Sequence, residues 1–370
     1  MSGRRRVGIF AGGRSAEHEV SIASAEAILR AIDRNRYEPF LVYIDPAGGW
    51  HLPAGPAPQL AADDSLARQL GVETIAEHST RLDRGETLPA LASPDADLQA
   101  PAAARSVATT IDVAFLAIHG PYGEDGTLQG FLELAGIPYT GAGVLASAVA
   151  MDKVVFKDLM RGHGLPVVDY AAVLLPAWRR DPAGIAGDLV ARIGPQLVVK
   201  PARLGSSVGM SLAHEPSELP GAIDEAFDWD DKVIVEAYLP DAREFECGVL
   251  GNDQPIVFGP GEVVSHHELY DYEAKYVPGL ADVLPRAEVE PERAERLREL
   301  ALAAYRAVDA RGMARVDFLA NDTGTFISEM NTIPGFTATS MFPKQAELAG
   351  ISFTELVSRL LDLAAGEGSG

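Results

Sequence analysis

Residues 313–331 read MARVDFLANDTGTFISEMN, and the reading of this stretch decides the fold. The segments MARVDFLA and TFISEMN flank the turn NDTG and predict a β-hairpin. A turn centred near Thr323 sets Asp317 opposite Glu329 and Arg315 opposite Asn331. Side chains two apart on a strand share a face, so all four project the same way. Two facing acids repel unless positive charge lies between them. Spacing alone leaves two readings open. Either Arg315 bridges both acids as a surface pair, or the acids hold Mg2+, which takes oxygen ligands through one or two carboxylates and a nearby phosphate.

An antiparallel hairpin here sets an α+β C-terminal part against a different pattern at the N terminus. There RRVGIF, YEPFLVYID and IDVAFLAIHG alternate with helical segments, which predicts a mostly parallel sheet and an α/β class. Residues 50–110, rich in Ala, Pro and Asp without a sustained period, read as an irregular insertion. The helix TLQGFLELAG stops at Gly136 and the helix around MDKVVFKDLMRGHG stops at Gly164, as glycines just past a helix end do. These signals divide the chain into 1–142, with the insertion, then 143–240 and 241–370. The middle unit holds the strands LVVKP and KVIVEAYL. The last opens on a hairpin, ECGVL–GNDQ–PIVFG, and closes on a helix whose start carries a Ser352–Glu355 capping box and an Ile351–Leu356 staple.

Composition narrows the function. With 47% hydrophobic residues the chain has enough apolar material for a core, and 370 residues suggest two or three domains. A net charge of −22 repels nucleic acid and anionic lipid, although a local cationic pocket still binds phosphate. The single cysteine, Cys247, excludes an internal disulfide and reads as a small buried side chain in the strand REFECGVL. The apolar start is too short for a signal peptide, and no run approaches a membrane span, so the expected location is the cytoplasm.

Further motifs join the hairpin. In KPARLGSSVGM, Gly205, Ser206, Ser207 and Gly209 let backbone N–H groups approach an anion, and Lys200 ends the preceding strand. An ordinary flexible turn is the plainer alternative. Lys153 begins a helix. Glu236, at a strand end before Pro240, reads either as a ribose-binding acid or as a solvated rim acid, and Glu244 follows it. In GGRSAEHEVS, Ser15 is the candidate N-cap and Glu17 falls in the first helical turn, where the helix dipole favours an acid. The loop AIHGPYGEDGTLQG places His119 and Glu124 at the C-terminal end of a parallel strand, where open α/β sheets bind ligands.

Taken together, GGRSAEHEVS, HGPYGEDGTLQG, MDK, VVKPARLGSSVGM, VEAYL, REFECGV, YDYEAKY, ARVDF and SEMNTIPGFTATSMFP resemble, in this order, the D-alanine–D-alanine ligases of the ATP-grasp superfamily. The resemblance implies three domains, with a first-substrate domain and ATP held between two sheets. It implies that Lys153 and Lys200 contact ATP phosphates, with Ser206 and Ser207 in the loop beside them. Glu236, Tyr238 and Leu239 then line the adenine side, Glu244 holds the ribose, and Asp317, Glu329 and Asn331 ligate two Mg2+ ions, for which Mn2+ can substitute. Arg315 and the Gly335 N–H stabilise a tetrahedral oxyanion. Glu17 pairs with the first D-alanine's ammonium and His119 lies near its carboxylate. Lys275 and Ser340 bind the second carboxylate, with Met341 beside them, and Lys275 also reaches the nucleotide. Ser206 and Tyr276 close over the site with Glu17, Tyr276 lying on a mobile loop within 262–285. A homodimer is also implied. The rival readings are a D-alanine–D-lactate ligase, which Tyr276 disfavours, and a nucleotide-binding module without chemistry, which Arg315, Ser340 and the three metal ligands disfavour.

Overall fold

The computed structural model describes residues 3–366 apart from 53, 62–63, 75, 78–106, 108, 268, 271–274, 276 and 278. Most of the expected insertion, part of the expected covering loop and Tyr276 therefore lie outside the described residues. Those described from the insertion include a two-residue strand and a short helix.

Strand β1 (Arg5–Gly12) runs parallel to β2 (Tyr37–Ile44) and β4 (Val113–Leu116), with β3 (Trp50–His51) antiparallel at the edge. Val7, Ile9 and Phe10 are fully buried although they point to opposite faces, as in a sheet covered on both sides. Helix α1 (His18–Ala31) packs on β1 and on the short α2 (Leu66–Leu70). Helices α3 (Thr127–Leu134), α4 (Val144–Met151) and α5 (Lys153–Gly162) follow β4. Gly136 and Gly164 adopt left-handed φ of 67° and 71° just beyond α3 and α5, where the sequence placed the stops.

The second sheet is antiparallel: β5 (Tyr170–Leu174), β8 (Lys232–Ala237), β6 (Leu197–Pro201) and β7 (Ser211–Ala213), in that spatial order. Leu197, Val199, Val233 and Val235 share a core with Trp178 and with residues of α6 (Pro182–Ile193) and α7 (Leu219–Ala226). By the strand period, Val198, Lys200, Ile234 and Glu236 take the opposite face.

The third sheet runs β12 (Ala281–Leu284), β11 (Gly261–Ser265), β9 (Arg243–Leu250), β13 (Met313–Asn321) and β14 (Gly324–Asn331), with β10 (Ile256–Val257) also paired to β9. Phe245, Cys247, Val249, Val316 and Phe318 form its buried face against α5 and α8 (Pro291–Ala307). Burial drives the Cys247 thiol well above its ordinary pKa, so it is inert packing. The alternate residues Glu244, Glu246, Arg315 and Asp317 turn toward the second sheet.

Two helices end the chain, α9 (Met341–Leu348) and α10 (Phe353–Ala364). Ser352 accepts the Glu355 N–H, and buried Ile351 precedes the fully buried Leu356, as the capping motif predicts. Glu355 spends its carboxylate on Arg359. Helix α10 packs on α1 and β4, and Asp362 accepts from Arg36 and Tyr37. The last segment thus completes the first sheet's core, so the hydrophobic interior crosses the 142/143 division read from sequence.

Candidate active site

The hairpin β13–β14 sets the site, and a register change makes it work. At the turn, Asn321 faces Gly324 and Phe318 faces Ile327, whereas Asp317 faces Glu329 and Arg315 faces Asn331. Ser328 is the extra residue between the two registers, a β-bulge. Continued from the turn without it, the pairing would set Asp317 against Ser328 and turn Glu329 to the other face. On the other side β9 pairs Glu246 with Asp317. Glu246, Asp317 and Glu329 therefore lie in one line across three strands.

Cations meet these acids from neighbouring elements. Asp152 caps α5 by accepting from Val154 and Val155, which fixes Lys153 at the helix start. The Lys153 ammonium donates to the Leu204 carbonyl at 2.7 Å and lies 3.2 Å from Glu329. One turn later, on the same helix face, Lys157 lies 3.1 Å from Glu236. Lys200 reaches the other Glu236 oxygen at 3.0 Å. Glu236 is 2% exposed, so it is neither a rim acid nor solvated. Burial alone would raise its pKa, but Lys157 and Lys200 hold it down at about 2. Burial pulls the Lys157 ammonium below its ordinary value against Glu236's attraction. Lys153, Lys200, Glu236, Tyr238, Leu239, Glu244, Lys275, Arg315, Asp317 and Glu329 line a single cleft between the second and third sheets. Lys275 also sits 5.1 Å over the Tyr270 ring.

The two facing acids are driven apart. Against its burial, Glu329 is held below the carboxylate range by Lys153, Lys275 and Lys200. Burial raises Asp317, opposed by Arg315 and reinforced by the charge on Glu329. Among the described residues no three acids, histidines or cysteines converge to cage a metal. Two carboxylates and the Asn331 amide are instead the sparse oxygen set that suits Mg2+ when phosphate and water complete its shell. The residues fit that ion.

Arg315 is engaged within the protein. The sequence reading made it the oxyanion's partner rather than the acids' counter-ion, yet its Nε and one Nη donate to Asp317 at 2.7 Å each. Glu246 lies 3.3 Å from the same guanidinium. It does not bridge the facing pair, because Lys153 takes Glu329.

The first sheet supplies Glu17. It occupies the N-cap position of α1, two residues later than expected for a Ser15 cap; Ser15 instead donates to the His119 carbonyl and accepts the Glu17 N–H. Ser206 donates to Glu17 at 2.5 Å. A Cβ on Gly120 or Gly205 would stand 2.6 Å or 2.7 Å from the Glu17 carboxylate, so both glycines make room for it. Ser206 and Ser207 hold left-handed φ of 51° and 56°, a conformation that costs a non-glycine residue energy. Ser207 donates to the Tyr270 carbonyl, tying this loop to the 262–285 segment.

His119 was expected near the first D-alanine's carboxylate. It is 3% exposed, and both ring nitrogens are engaged inside the protein. Nδ1 lies 2.9 Å from the Ile333 carbonyl and Nε2 lies 3.0 Å from Ser24 Oγ. Since a carbonyl only accepts, Nδ1 carries the proton and Nε2 accepts from Ser24. Burial lowers its pKa, which keeps the ring neutral. Neither nitrogen is left to meet a substrate carboxylate. Glu124 takes the N–H of the same Ile333 and of Gly120, each at 2.8 Å, and burial pushes its pKa up to about 8. These bonds fix the start of the 332–340 loop. At the far end of that loop Ser340 accepts from Thr337, a Cβ on Gly335 would lie 3.0 Å from its hydroxyl, and Met341 is buried.

Lys157 and Glu246 escaped the sequence reading. Lys157 had a usable signal, four residues after Lys153. Glu246 alternates with Glu244, so the strand period alone placed it on the same face.

The sequence matches the family described as D-ala D-ala ligase N-terminus over residues 6–142 and D-ala D-ala ligase C-terminus over residues 159–362. A D-alanine–D-alanine ligase of Deinococcus radiodurans is 42% identical, with 98% of each chain covered. Among solved structures, the VanG D-Ala:D-Ser ligase of Enterococcus faecalis superposes with a TM-score of 0.78 at 30% identity, covering 98% of this chain and 100% of that one. A D-alanine–D-alanine ligase of Bacillus anthracis, solved in complex with ATP, gives 0.70 at 26% identity over 98% of each chain.

Proposed function

Because this chain belongs to the D-alanine–D-alanine ligase family, we propose that it joins two D-alanine molecules at the expense of ATP, releasing ADP and phosphate, to supply a peptidoglycan precursor. The observation that carries this reading is the Arg315–Asp317–Glu329 face, opposed across one cleft by Lys153 and Lys200. Peptide-bond formation from a free carboxylate in water is uphill, so the carboxylate must first become a better acyl donor. The γ-phosphoryl group passes to the first D-alanine carboxylate, giving an acylphosphate. The second amine attacks, and the tetrahedral oxyanion collapses by expelling phosphate.

Each residue then has a task. Lys153 and Lys200 offset phosphate charge. Glu236, Tyr238 and Leu239 face the adenine and Glu244 the ribose. Glu17, aimed by Ser206, pairs with the first ammonium. His119 and Glu124 act at one remove, by holding Ile333. Arg315 and the Gly335 N–H meet the oxyanion, and Ser340 and Lys275 receive the second carboxylate near Met341. Asp317, Glu329 and Asn331 would hold Mg2+ or Mn2+, which supplies charge neutralisation on the transferring phosphoryl group. Tyr276 completes the closure over Glu17, which shields the acylphosphate from water.

Incubation with ATP, Mg2+ and D-alanine should yield D-alanyl-D-alanine by mass; ATP hydrolysis indifferent to D-alanine would sink the ligase reading. With D-lactate or D-serine as competitor, the dipeptide of two D-alanines should dominate near neutral pH. A mainly depsipeptide product there would replace D-alanine by D-lactate as the second substrate. A narrower expectation concerns Gly205→Ala. Its new methyl displaces the Glu17 carboxylate, and kcat/KM for D-alanine should drop by about 10- to 100-fold, with the KM for ATP little changed. Equal losses for both substrates would detach Glu17 from the first ammonium.

We further read the units 1–142, 143–240 and 241–370 as the first-substrate domain, the central ATP-binding lid and the C-terminal catalytic domain, the last lending α10 to the first. A homodimer is supported by Leu134 and Leu145, 94% and 63% exposed on the mutually packed α3 and α4. Among the described residues no helix is long and apolar enough to cross a membrane, and we place the enzyme in the cytoplasm.

A further inference from the structure

Asp317 is crowded with donors. Arg315 presents Nε to one oxygen and Nη to the other, and the Asn331 amide adds a third N–H at 2.9 Å. A carboxylate offers about four lone-pair sites, and three are taken. A divalent cation on Asp317 would also stand beside a guanidinium, and two positive charges that close in a buried site repel strongly. Arg315 must then give up at least one of its bonds to Asp317. The Arg315 side chain is only 19% exposed, so an acceptor from the protein replaces that bond better than bulk water does.

One acid is placed to take it. Glu246 sits on β9 at the position paired with Asp317, and its Oε1 is 3.3 Å from the Arg315 Nη that also holds Asp317. Its strand is fixed from behind: Gln345 accepts the Gly248 N–H at 2.9 Å and donates to the Glu246 carbonyl at 2.8 Å. Gly248, lacking a Cβ, lets Phe342 and Gln345 approach this close. Glu246 is therefore a stationary second partner for an arginine whose first partner is claimed by something else.

We propose that Glu246 is a positioning residue that draws Arg315 off Asp317 when a divalent cation binds, so that cation binding and the freeing of Arg315 are one event. This rests on the reading of Asp317 as a cation ligand. Arg315 is delivered to the reacting centre only once the cation is in place, which orders assembly of the site.

Direct Mn2+ binding tests this without turnover. Free Mn2+ is followed by electron paramagnetic resonance during titration of the protein with a non-hydrolysable ATP analogue present. Asp317→Asn should remove or strongly weaken a bound ion. Glu246→Gln should weaken Mn2+ by about 10-fold, the scale of losing a group that supports a metal ligand. Glu246→Asp should weaken it similarly, because it keeps the charge but falls short of Arg315. In an Arg315→Ala background Glu246→Gln should have no further effect, the mark of coupling through that arginine. Wild-type affinity in Glu246→Asp would show that charge alone matters, and a full Glu246→Gln loss without Arg315 would remove the arginine from the pathway. Either overturns the proposal while leaving the ligand reading intact. An unaltered titration in Asp317→Asn would instead overturn the ligand reading, and the proposal with it.

Discussion

Glu329→Gln should lower kcat by about 100- to 1,000-fold, the range seen when one element of a preorganised electrostatic clamp is lost. The substitution keeps the side chain's shape and removes its charge. Glu329 is the acid that stays ionised, with Lys153, Lys275 and Lys200 holding its pKa down against burial. Without it Asp317 faces a neutral amide, and a divalent ion loses a charged ligand. The fold should survive, because Lys153 keeps its bond to the Leu204 carbonyl and the pairing of β13 with β14 is a backbone matter. Melting should shift by less than about 2 °C, equivalent to roughly 1 kcal/mol in a chain of this size. Near-normal turnover at ordinary magnesium would end the metal assignment. Lost turnover with a collapsed melting point would make the defect structural.

Glu236→Gln should act in the opposite way, chiefly on stability. Glu236 is 2% exposed and Lys157 1%, and the glutamate also neutralises Lys200 on its other oxygen. Removing one member of a buried ion pair costs roughly 3–5 kcal/mol, because the partner stays buried and charged. That corresponds to a fall in melting temperature of about 4–6 °C in a chain of this size. The pH dependence gives a second check. In the parent protein the folded pKa of Glu236 is depressed to about 2. Its contribution is therefore fully present above the unfolded carboxylate pKa of about 4.3 and is lost as pH falls toward 2. The variant lacks that acid limb. Burial already pulls Lys157 below its ordinary value, and without Glu236 it should fall further. The deficit should then narrow as pH rises through the ordinary lysine pKa of about 10.4, above which Lys157 is uncharged in both folded and unfolded states. An unchanged melting curve across pH would mean that Glu236 carries no such burden.

Sequence reading reached the site's faces better than its contacts. A turn centred near Thr323 placed Asp317 opposite Glu329, and the structure agrees, although it reaches that pairing through a bulge, with Asn321 facing Gly324 at the tip. The bulge at Ser328 has no sequence mark in a segment that otherwise alternates. The strand–helix order of the N-terminal sheet and the glycine stops after α3 and α5 were legible because they depend on local backbone chemistry. What escaped was long-range. Nothing in IHGPYG says that the His119 ring is spent on Ser24 and Ile333, since those partners lie 95 and 214 residues away. Nor does REFECGV say that Glu246 meets Arg315. The return of α10 to the first sheet is equally invisible locally, because an amphipathic helix does not name the surface that it covers. Ser15 looked like the better cap by residue type, yet its hydroxyl is used on the His119 carbonyl.

The bulge at Ser328 also partitions the hairpin into a tip and a base that answer to different constraints. Orientation of the acids is set by pairing on the β9 side of the bulge, so the Asp322–Thr323 tip can be lengthened without rotating either carboxylate. That tip is where an epitope or a fluorophore-bearing loop can be grafted, and where relatives of this chain can drift in length. Deleting Ser328 would remove the extra residue and carry the tip's register straight on to an Asp317–Glu329 pair, with both carboxylates still on one face but the bulge gone.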